Sequence, residues 1–151
     1  MRTVLLTHHY DAPARDVWDI AIDYDCLSEV MQGLVTFDGL PTGRVMPGQS
    51  LTVMVSLFGL LPAQPYHMDV VAFDDAAMRL TSSERGAGVK SWRHTLVVEA
   101  TETGCTLTDR IEIDAGWMTW AFARWARFLY RRRHGPRLRI LARRHKGTVQ
   151  P

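Results

Sequence analysis

The sequence predicts an α+β fold in which a curved antiparallel sheet of six to seven strands wraps around a long C-terminal helix. Three observations support this prediction: two short helical segments follow the first strand at once, the middle of the chain alternates apolar and polar residues, and its end has helical periodicity. The chain has 151 residues, 46% of them hydrophobic and 23% charged. This composition is globular, and the length suits a single domain over residues 1–151.

The N-terminal part of the chain predicts a strand and two short helices. Residues 3–10 alternate between apolar and polar positions, which is typical of a strand. Residues 13–22 carry apolar side chains at helical spacing, and Pro13 suits a first helical turn because its missing N–H is not needed there. Asp25 can cap the second helix, and Gly33 is placed to end it.

Six further strands are predicted between turn signals rich in Gly, Pro and Asp. They are residues 35–37, 51–61, 66–73, 78–84, 89–100 and 105–113. Alternation within the longer strands is typical of an antiparallel sheet with one buried face, and in the strand 66–73 it places Ala72 inward and Phe73 outward. The end of the strand 51–61 together with Pro62 also resembles an exposed loop, which would suit a cavity mouth or a dimer contact.

The C-terminal segment 117–146 predicts a helix with a broad apolar face and arginines over most of its remaining surface. Pro136 lies inside it, and its ring would collide with the carbonyl four residues earlier, so we expect a kink or break there. A twisted sheet of this size has a concave face too wide for its own side chains to fill. The helix can lie across that face.

Short motifs along the chain support the same architecture. They are Ala12-Pro13-Ala14-Arg15-Asp16-Val17-Trp18, Gly43, Pro47-Gly48, Ser91-Trp92-Arg93-His94 and Gly104-Cys105-Thr106-Leu107-Thr108-Asp109. With the order of elements, they resemble the SRPBCC superfamily, the helix-grip proteins that include START lipid-transfer domains, polyketide cyclases and dehydratases, and birch-pollen-allergen-like proteins. The resemblance covers nearly the whole chain and implies a helix-grip fold. It does not select one activity, because members bind many ligands and only some catalyse reactions.

Three ionisable side chains fall on the predicted concave face. Glu84, His94 and Asp109 each share strand parity with apolar inward neighbours, on three consecutive strands. Inward residues that face each other or lie diagonally across such strands are about 5–8 Å apart, so we expect the three groups to converge. Further polar and aromatic residues are expected beside them: Tyr66, Ser82 and Trp92.

Three interpretations of this group stay open. It can be a structural polar network, since burying carboxylates without partners is costly. It can line a cavity and bind the polar group of an otherwise apolar ligand, such as a lipid or a polyketide. Alternatively, His94 can act as a general acid or base, oriented by Asp109 or Glu84, in an enzyme of the polyketide cyclase or dehydratase kind.

The ligand-binding interpretation involves side chains from the sheet and from the last helix. The expected contacts are Tyr66, Met68, Ser82, Glu84, Trp92, His94, Asp109, Phe122 and Trp125. Methionine and aromatic side chains form adaptable apolar walls, although the same residues also suit ordinary core packing. A purely structural module would instead have a filled interior and show no change in melting temperature with a ligand.

Neither a metal nor a cofactor is predicted. His8 and His9 point to opposite faces of a strand, and the group around His94 lacks the close spacing of metal ligands. Cys105 points inward and is interpreted as a small buried hydrophobe rather than a nucleophile.

No apolar run approaches the roughly 18 residues that span a bilayer, and the N-terminus lacks the long apolar stretch of a signal peptide, so we expect a cytoplasmic protein.

The net charge of +2 hides a strong asymmetry. Residues 1–114 carry all 16 acidic residues and eight basic ones, whereas residues 115–151 carry the other ten basic residues and no acid. The C-terminal arginines can therefore pair with the acidic body or make transient contact with an anionic membrane. Nucleic acid is not predicted as a partner, because the sheet face is covered and the helix lacks interleaved stacking aromatics. A second copy of this chain, in a homodimer, is a further alternative for the partner.

Overall fold

The computed structural model describes residues 1–149 and places seven antiparallel strands around a C-terminal helical segment. The strands are β1 (Arg2–Tyr10), β2 (Val35–Asp38), β3 (Ser50–Leu57), β4 (Gln64–Asp74), β5 (Arg79–Gly86), β6 (Val89–Ala100) and β7 (Cys105–Asp114). The helices are α1 (Ala14–Ala21), α2 (Tyr24–Val30), α3 (Thr119–Arg132) and α4 (His134–Val149), with a 3₁₀ turn at Gly116–Met118. The predicted helix-grip fold is confirmed.

The two short helices carry the chain from one edge of the sheet to the other. The strand order is β1-β7-β6-β5-β4-β3-β2, so the first strand pairs with the last and β2 lies at the far edge. The predicted cap of α2 at Asp25 is wrong, because the Asp23 side chain accepts the backbone N–H of Cys26 at 3.0 Å. Between the two edges every strand pairs with its neighbour in sequence, as expected for a meander.

Two strands differ from their predicted form. β3 ends at Leu57 rather than Leu61, because the chain turns at Phe58, which has a positive φ of 57°. The loop-like interpretation of the segment that follows is therefore correct. In β4 a register shift between Val70 and Ala72 reverses the parity of the strand end. Ala72 is consequently exposed, and Phe73 packs inward on Trp18 with ring centroids 5.8 Å apart.

The C-terminal helical segment divides at Arg133 into α3 and α4. Pro136 lies in the first turn of α4, and the carbonyl four residues before it belongs to Arg132, the last residue of α3. The predicted break is therefore confirmed, and it falls where the proline ring would meet the preceding turn. α3 packs against β1 and β7, whereas α4 packs against α1 and α2.

Two apolar clusters fix the helices on the sheet. Ala126 and Leu129 of α3 are buried in a cluster with Val4 and Ile111. Trp18 of α1 is fully buried in a second cluster, around β6 and β7. Because α3 rests on the β1–β7 edge, it arches over the inner strands and leaves space above them. Within residues 1–149 we find no helix with the length and apolar character needed to cross a bilayer.

Candidate ligand-binding cavity

A cavity of about 230 Å³ lies between the concave face of the sheet and the C-terminal helices. It is far larger than the roughly 10–15 Å³ that a single water needs. Most of its wall is apolar and comes from inward residues of the strands, from α2 and from α3. The polar or charged side chains in the wall include Tyr24, Gln64, Tyr66, Ser82, Glu84, His94, Tyr130, Arg133 and Arg137.

The structure brings most of the predicted ligand contacts to this wall. Those that line the cavity are Tyr66, Met68, Ser82, Glu84, Trp92, His94, Phe122 and Trp125. Asp109 points inward, as parity predicts, but it is fully buried and is absent from the cavity wall. Its strand pairs with both β1 and β6, and its carboxylate is bonded to His94 instead. The expectation that Asp109 contacts the ligand is therefore corrected.

Glu84 is the acceptor of a closed hydrogen-bond group at the sheet side of the cavity. The Tyr66 hydroxyl donates to Oε2 at 2.6 Å, and the Ser82 hydroxyl donates to Oε1 at 2.7 Å. Burial, followed by the nearby Glu84 carboxylate, raises the pKa of Tyr66 well above its usual range, so the phenol stays a donor. The same two causes raise the pKa of Tyr24 to about 12. A carboxylate offers about four acceptor sites, so Glu84 can accept further donors from a ligand.

His94 and Asp109 form a separate buried pair. Nε2 of His94 lies 2.7 Å from Oδ1 of Asp109. Burial alone would raise the pKa of Asp109, but the hydrogen bond from His94 and the charges of Arg137 and Arg133 outweigh it and lower that pKa. An ionised carboxylate only accepts hydrogen bonds, so Nε2 carries the proton and Nδ1 is the nitrogen that can accept one. No hydrogen bond joins His94 to Glu84 within residues 1–149, so the three predicted groups form two sets.

Sequence reasoning missed the polar residues that the helices add to the wall. These are Tyr24, Tyr130, Arg133 and Arg137. The Arg133 guanidinium lies 4.0 Å above the centre of the Tyr130 ring, and Arg137 is only 4% exposed. A signal existed, because Arg137 lies three residues before the buried Ile140 and so belongs to the apolar face of the helix.

The loop that follows β3 contributes to the cavity wall. Leu61 and Pro62 are exposed and also line the cavity. Phe58 of this loop meets the edge of Trp125 of α3 at a ring-centroid distance of 5.5 Å. The loop therefore contacts α3 beside the cavity, and its interpretation as a cavity mouth stays a prediction. A dimer contact through the same loop stays a prediction.

The arginine-rich helices are partly neutralised by the acidic body. Arg143 donates two hydrogen bonds to the carboxylate of Glu29, at 2.9 and 3.3 Å. At the other end of the segment, Trp117 is 84% and Trp120 51% exposed, which would suit contact with a membrane. That contact stays a prediction. In the part of the chain that the structure describes, no three His, Cys, Asp or Glu side chains lie close enough to hold a metal ion.

Comparisons with known proteins support the fold. The family model for "Domain of unknown function (DUF8410)" matches residues 8–144. No curated protein matches the chain. Protein CV1439 from Chromobacterium violaceum is similar in structure, with a TM-score of 0.72 at 14% identity over 92% of this chain and 96% of its own.

Two further solved structures have the same architecture. Ara h 8.0201 matches with a TM-score of 0.66 at 14% identity over 91% of this chain and 97% of its own. DynU16, described as a protein in the dynemicin biosynthetic locus, gives 0.60 at 16% identity over 87% of this chain and 45% of its own. At these identities the likeness concerns the helix-grip fold alone.

Proposed function

The chain belongs to the domain family DUF8410 and has a helix-grip fold, and on this premise we propose that it binds a small, mostly apolar molecule in the cavity under α3. The observation that carries the proposal is the cavity itself, which is mainly apolar and has a few polar groups on opposite sides. Ligand sites of this composition gain affinity from apolar burial and specificity from a few placed polar groups. A lipid or a polyketide is the ligand class that fits this wall.

Apolar burial would supply most of the affinity. Trp92, Phe122 and Trp125 supply large apolar surfaces, and each buried methylene of a ligand contributes about 0.8 kcal/mol. Glu84 would orient a ligand hydroxyl through its remaining acceptor sites, and His94 would do the same through Nδ1. Asp109 would act through His94 by holding the ring in one orientation.

A pair of matched variants tests the proposal. Val70 lines the cavity, whereas its neighbour Val71 is exposed and does not. We expect V70W to fill the cavity and to weaken binding of the neutral fluorescent probe N-phenyl-1-naphthylamine by about tenfold or more, since the probe loses its apolar contacts. V71W should bind the probe as the wild type does. Fluorescence titration measures both, and equal binding by the two variants would refute the cavity as the site.

The second candidate function is acid–base catalysis of the polyketide cyclase or dehydratase kind. The 2.7 Å contact between His94 and Asp109 favours it, because a carboxylate that fixes the tautomer prepares Nδ1 to take a proton. We expect the protein to accelerate α-proton exchange of benzoylacetone in D₂O, followed by NMR, with H94Q losing about 10²–10⁴ of that acceleration. Exchange at the buffer rate would exclude this candidate and leave the binding proposal intact.

Ligand pick-up at an anionic bilayer is an extension of the proposal. The exposed Trp117 and Trp120 lie near Arg124 and Arg127, which are exposed on α3. Tryptophan and arginine side chains on one helix suit the surface of an anionic membrane. We expect cosedimentation with phosphatidylglycerol vesicles that is lost in the W117A/W120A variant. If the wild type stays in the supernatant, the extension is wrong and cavity binding is unaffected.

A further inference from the structure

One cation in the cavity wall lacks a matching anion. Arg137, in the first turn of α4, is 4% exposed and lines the cavity, and in the described part of the chain its Nη1 has no hydrogen-bond partner. Among residues 1–149 no carboxylate forms an ion pair with it. The Tyr10 hydroxyl is one partner of the guanidinium, but burying a guanidinium with too few acceptors is costly, so Nη1 needs an acceptor.

The two buried carboxylates, Asp109 and Glu84, do not supply that acceptor. Asp109 influences Arg137 only through its charge, and its Oδ1 is bonded to His94. Both oxygens of Glu84 are bonded to hydroxyl donors on the sheet side. Neither group therefore meets the Arg137 guanidinium directly.

Arg133 adds a second cation to the same wall, one helical turn before Arg137. Its Nε donates to the sulfur of Met31 at 3.3 Å, a weak acceptor, and its guanidinium rests on the Tyr130 ring. The surrounding helices add positive potential, since residues 115–151 carry ten basic residues and no acidic one. The α4 side of the cavity is thus built to attract a negative charge.

We propose that the cavity selects ligands that carry a carboxylate, and that Arg137, assisted by Arg133, binds this group. The inference rests on the proposed function and specifies its ligand class as amphipathic carboxylic acids. A guanidinium forms paired, charge-assisted hydrogen bonds with a carboxylate, which is the partner that Nη1 of Arg137 lacks. Glu84 repels an acid, so it fixes the orientation: the carboxylate lies toward α4 and the apolar body toward Phe122 and Trp125.

Decanoic acid and methyl decanoate test the inference, because they share an apolar chain and differ in charge. Each would displace N-phenyl-1-naphthylamine from wild-type protein, R137Q and R139Q. Arg139 is the matched control, since it is exposed on the same helix and lies outside the cavity wall. We expect the wild type and R139Q to bind the acid about tenfold or more tightly than the ester, and R137Q to lose that preference while binding the ester normally.

The outcomes separate the inference from the proposed function. If the wild type binds acid and ester equally, the carboxylate preference is wrong and the cavity still binds apolar ligands. If R139Q loses the preference as R137Q does, general surface charge explains it and the inference is overturned. If neither the fluorescent probe nor either ligand binds, the proposed function itself fails. The comparison on wild-type protein decides the question even where R137Q does not fold, and R137K, which keeps the charge, should retain part of the preference.

Discussion

The two polar sides of the cavity differ in how completely their hydrogen bonds are made. On the sheet side, both oxygens of Glu84 accept hydroxyl donors at 2.6 and 2.7 Å. On the α4 side, Nη1 of Arg137 in the cavity wall has no partner among the described residues, and behind the wall the same holds for Nδ1 of His8, Oδ2 of Asp109 and Nδ1 of His134. The Glu84 group is complete by itself, although Nε1 of Trp92 on the neighbouring strand has no partner among the described residues, whereas the α4 side of the wall leaves a donor of Arg137 without an acceptor.

The difference follows from how each side is assembled. Ser82 lies two residues before Glu84 on the same strand, and Tyr66 is on the adjacent strand, so local strand geometry brings the group together. The α4 side combines β1, β7 and the start of α4, which meet only because the helix breaks at Arg133. The Glu84 group therefore depends on strand register, whereas the Arg137 side depends on the junction between α3 and α4.

The largest expected effect comes from removing the central charged group of each side. Glu84→Leu leaves the hydroxyls of Tyr66 and Ser82 unpaired and should lower the free energy of unfolding by about 2–4 kcal/mol. Arg137→Leu loses the charge interaction with Asp109 but no ion pair among the described residues, so it should cost less. Urea denaturation measures both changes. An equal loss in the two variants would contradict the division into a complete and an incomplete side.

A smaller effect is expected from removing one donor of the complete side. Ser82→Ala deletes the 2.7 Å hydrogen bond to Glu84 and should cost about 1 kcal/mol. Ser83→Ala, on the opposite face of the same strand, is the matched control and should cost nearly nothing. Chemical denaturation of the two variants sharpens the comparison, and a Ser82→Ala variant as stable as the wild type would count against it.

The smallest effect is a pH dependence that arises on the incomplete side. His8 stacks on His134 with ring centroids 4.9 Å apart, and Tyr10 packs on the same imidazole at 4.7 Å. Burial first, then the charges of His134, Arg137 and Arg131, lower the pKa of His8 below 6.5, although the Asp109 carboxylate opposes them. Burial and Arg137 likewise lower the pKa of His134.

The sign of the effect follows from these two shifts. Below pH 6.5 the unfolded chain binds more protons at these positions than the folded protein, so the free energy of unfolding falls as the pH falls. We expect His134→Phe to make this loss shallower between about pH 6.5 and 5, while His145→Gln, at an exposed position of α4, leaves it unchanged. Thermal unfolding across that range measures the slope, and parallel profiles for all three proteins would rule out the histidine pair as its cause.

Much of the fold could be predicted because its signals are local. Alternation along a strand and helical spacing depend on adjacent residues, and so does the break before Pro136. The bulge beside Val71 could not be predicted from the alternation of apolar and polar residues. An extra, unpaired residue in a strand becomes apparent only when the strand pairs with its neighbour. The loop-like character of the segment from Phe58 onward was predictable, but the residue at which β3 ends was not, because that residue lies within an apolar run.

The candidate site was predictable on the sheet and not on the helices. Strand parity placed Glu84 and His94 on the concave face, but parity gives a face and not the neighbour that covers it, which is why Asp109 was expected in the wall. Arg137 looked like another surface arginine. Its spacing from Ile140 marks it as inward-facing, but its place in the cavity wall depends on the angle at which α4 leaves α3, which is a tertiary feature.

Native mass spectrometry of protein purified from its own host tests the central claim most directly. Under non-denaturing conditions, the wild type and V71W should each carry one small, mostly apolar molecule that is released on unfolding, and the filled cavity of V70W should carry none. A wild-type protein without any bound molecule, or a V70W variant that carries as much as the wild type, would contradict a ligand cavity between the sheet and α3.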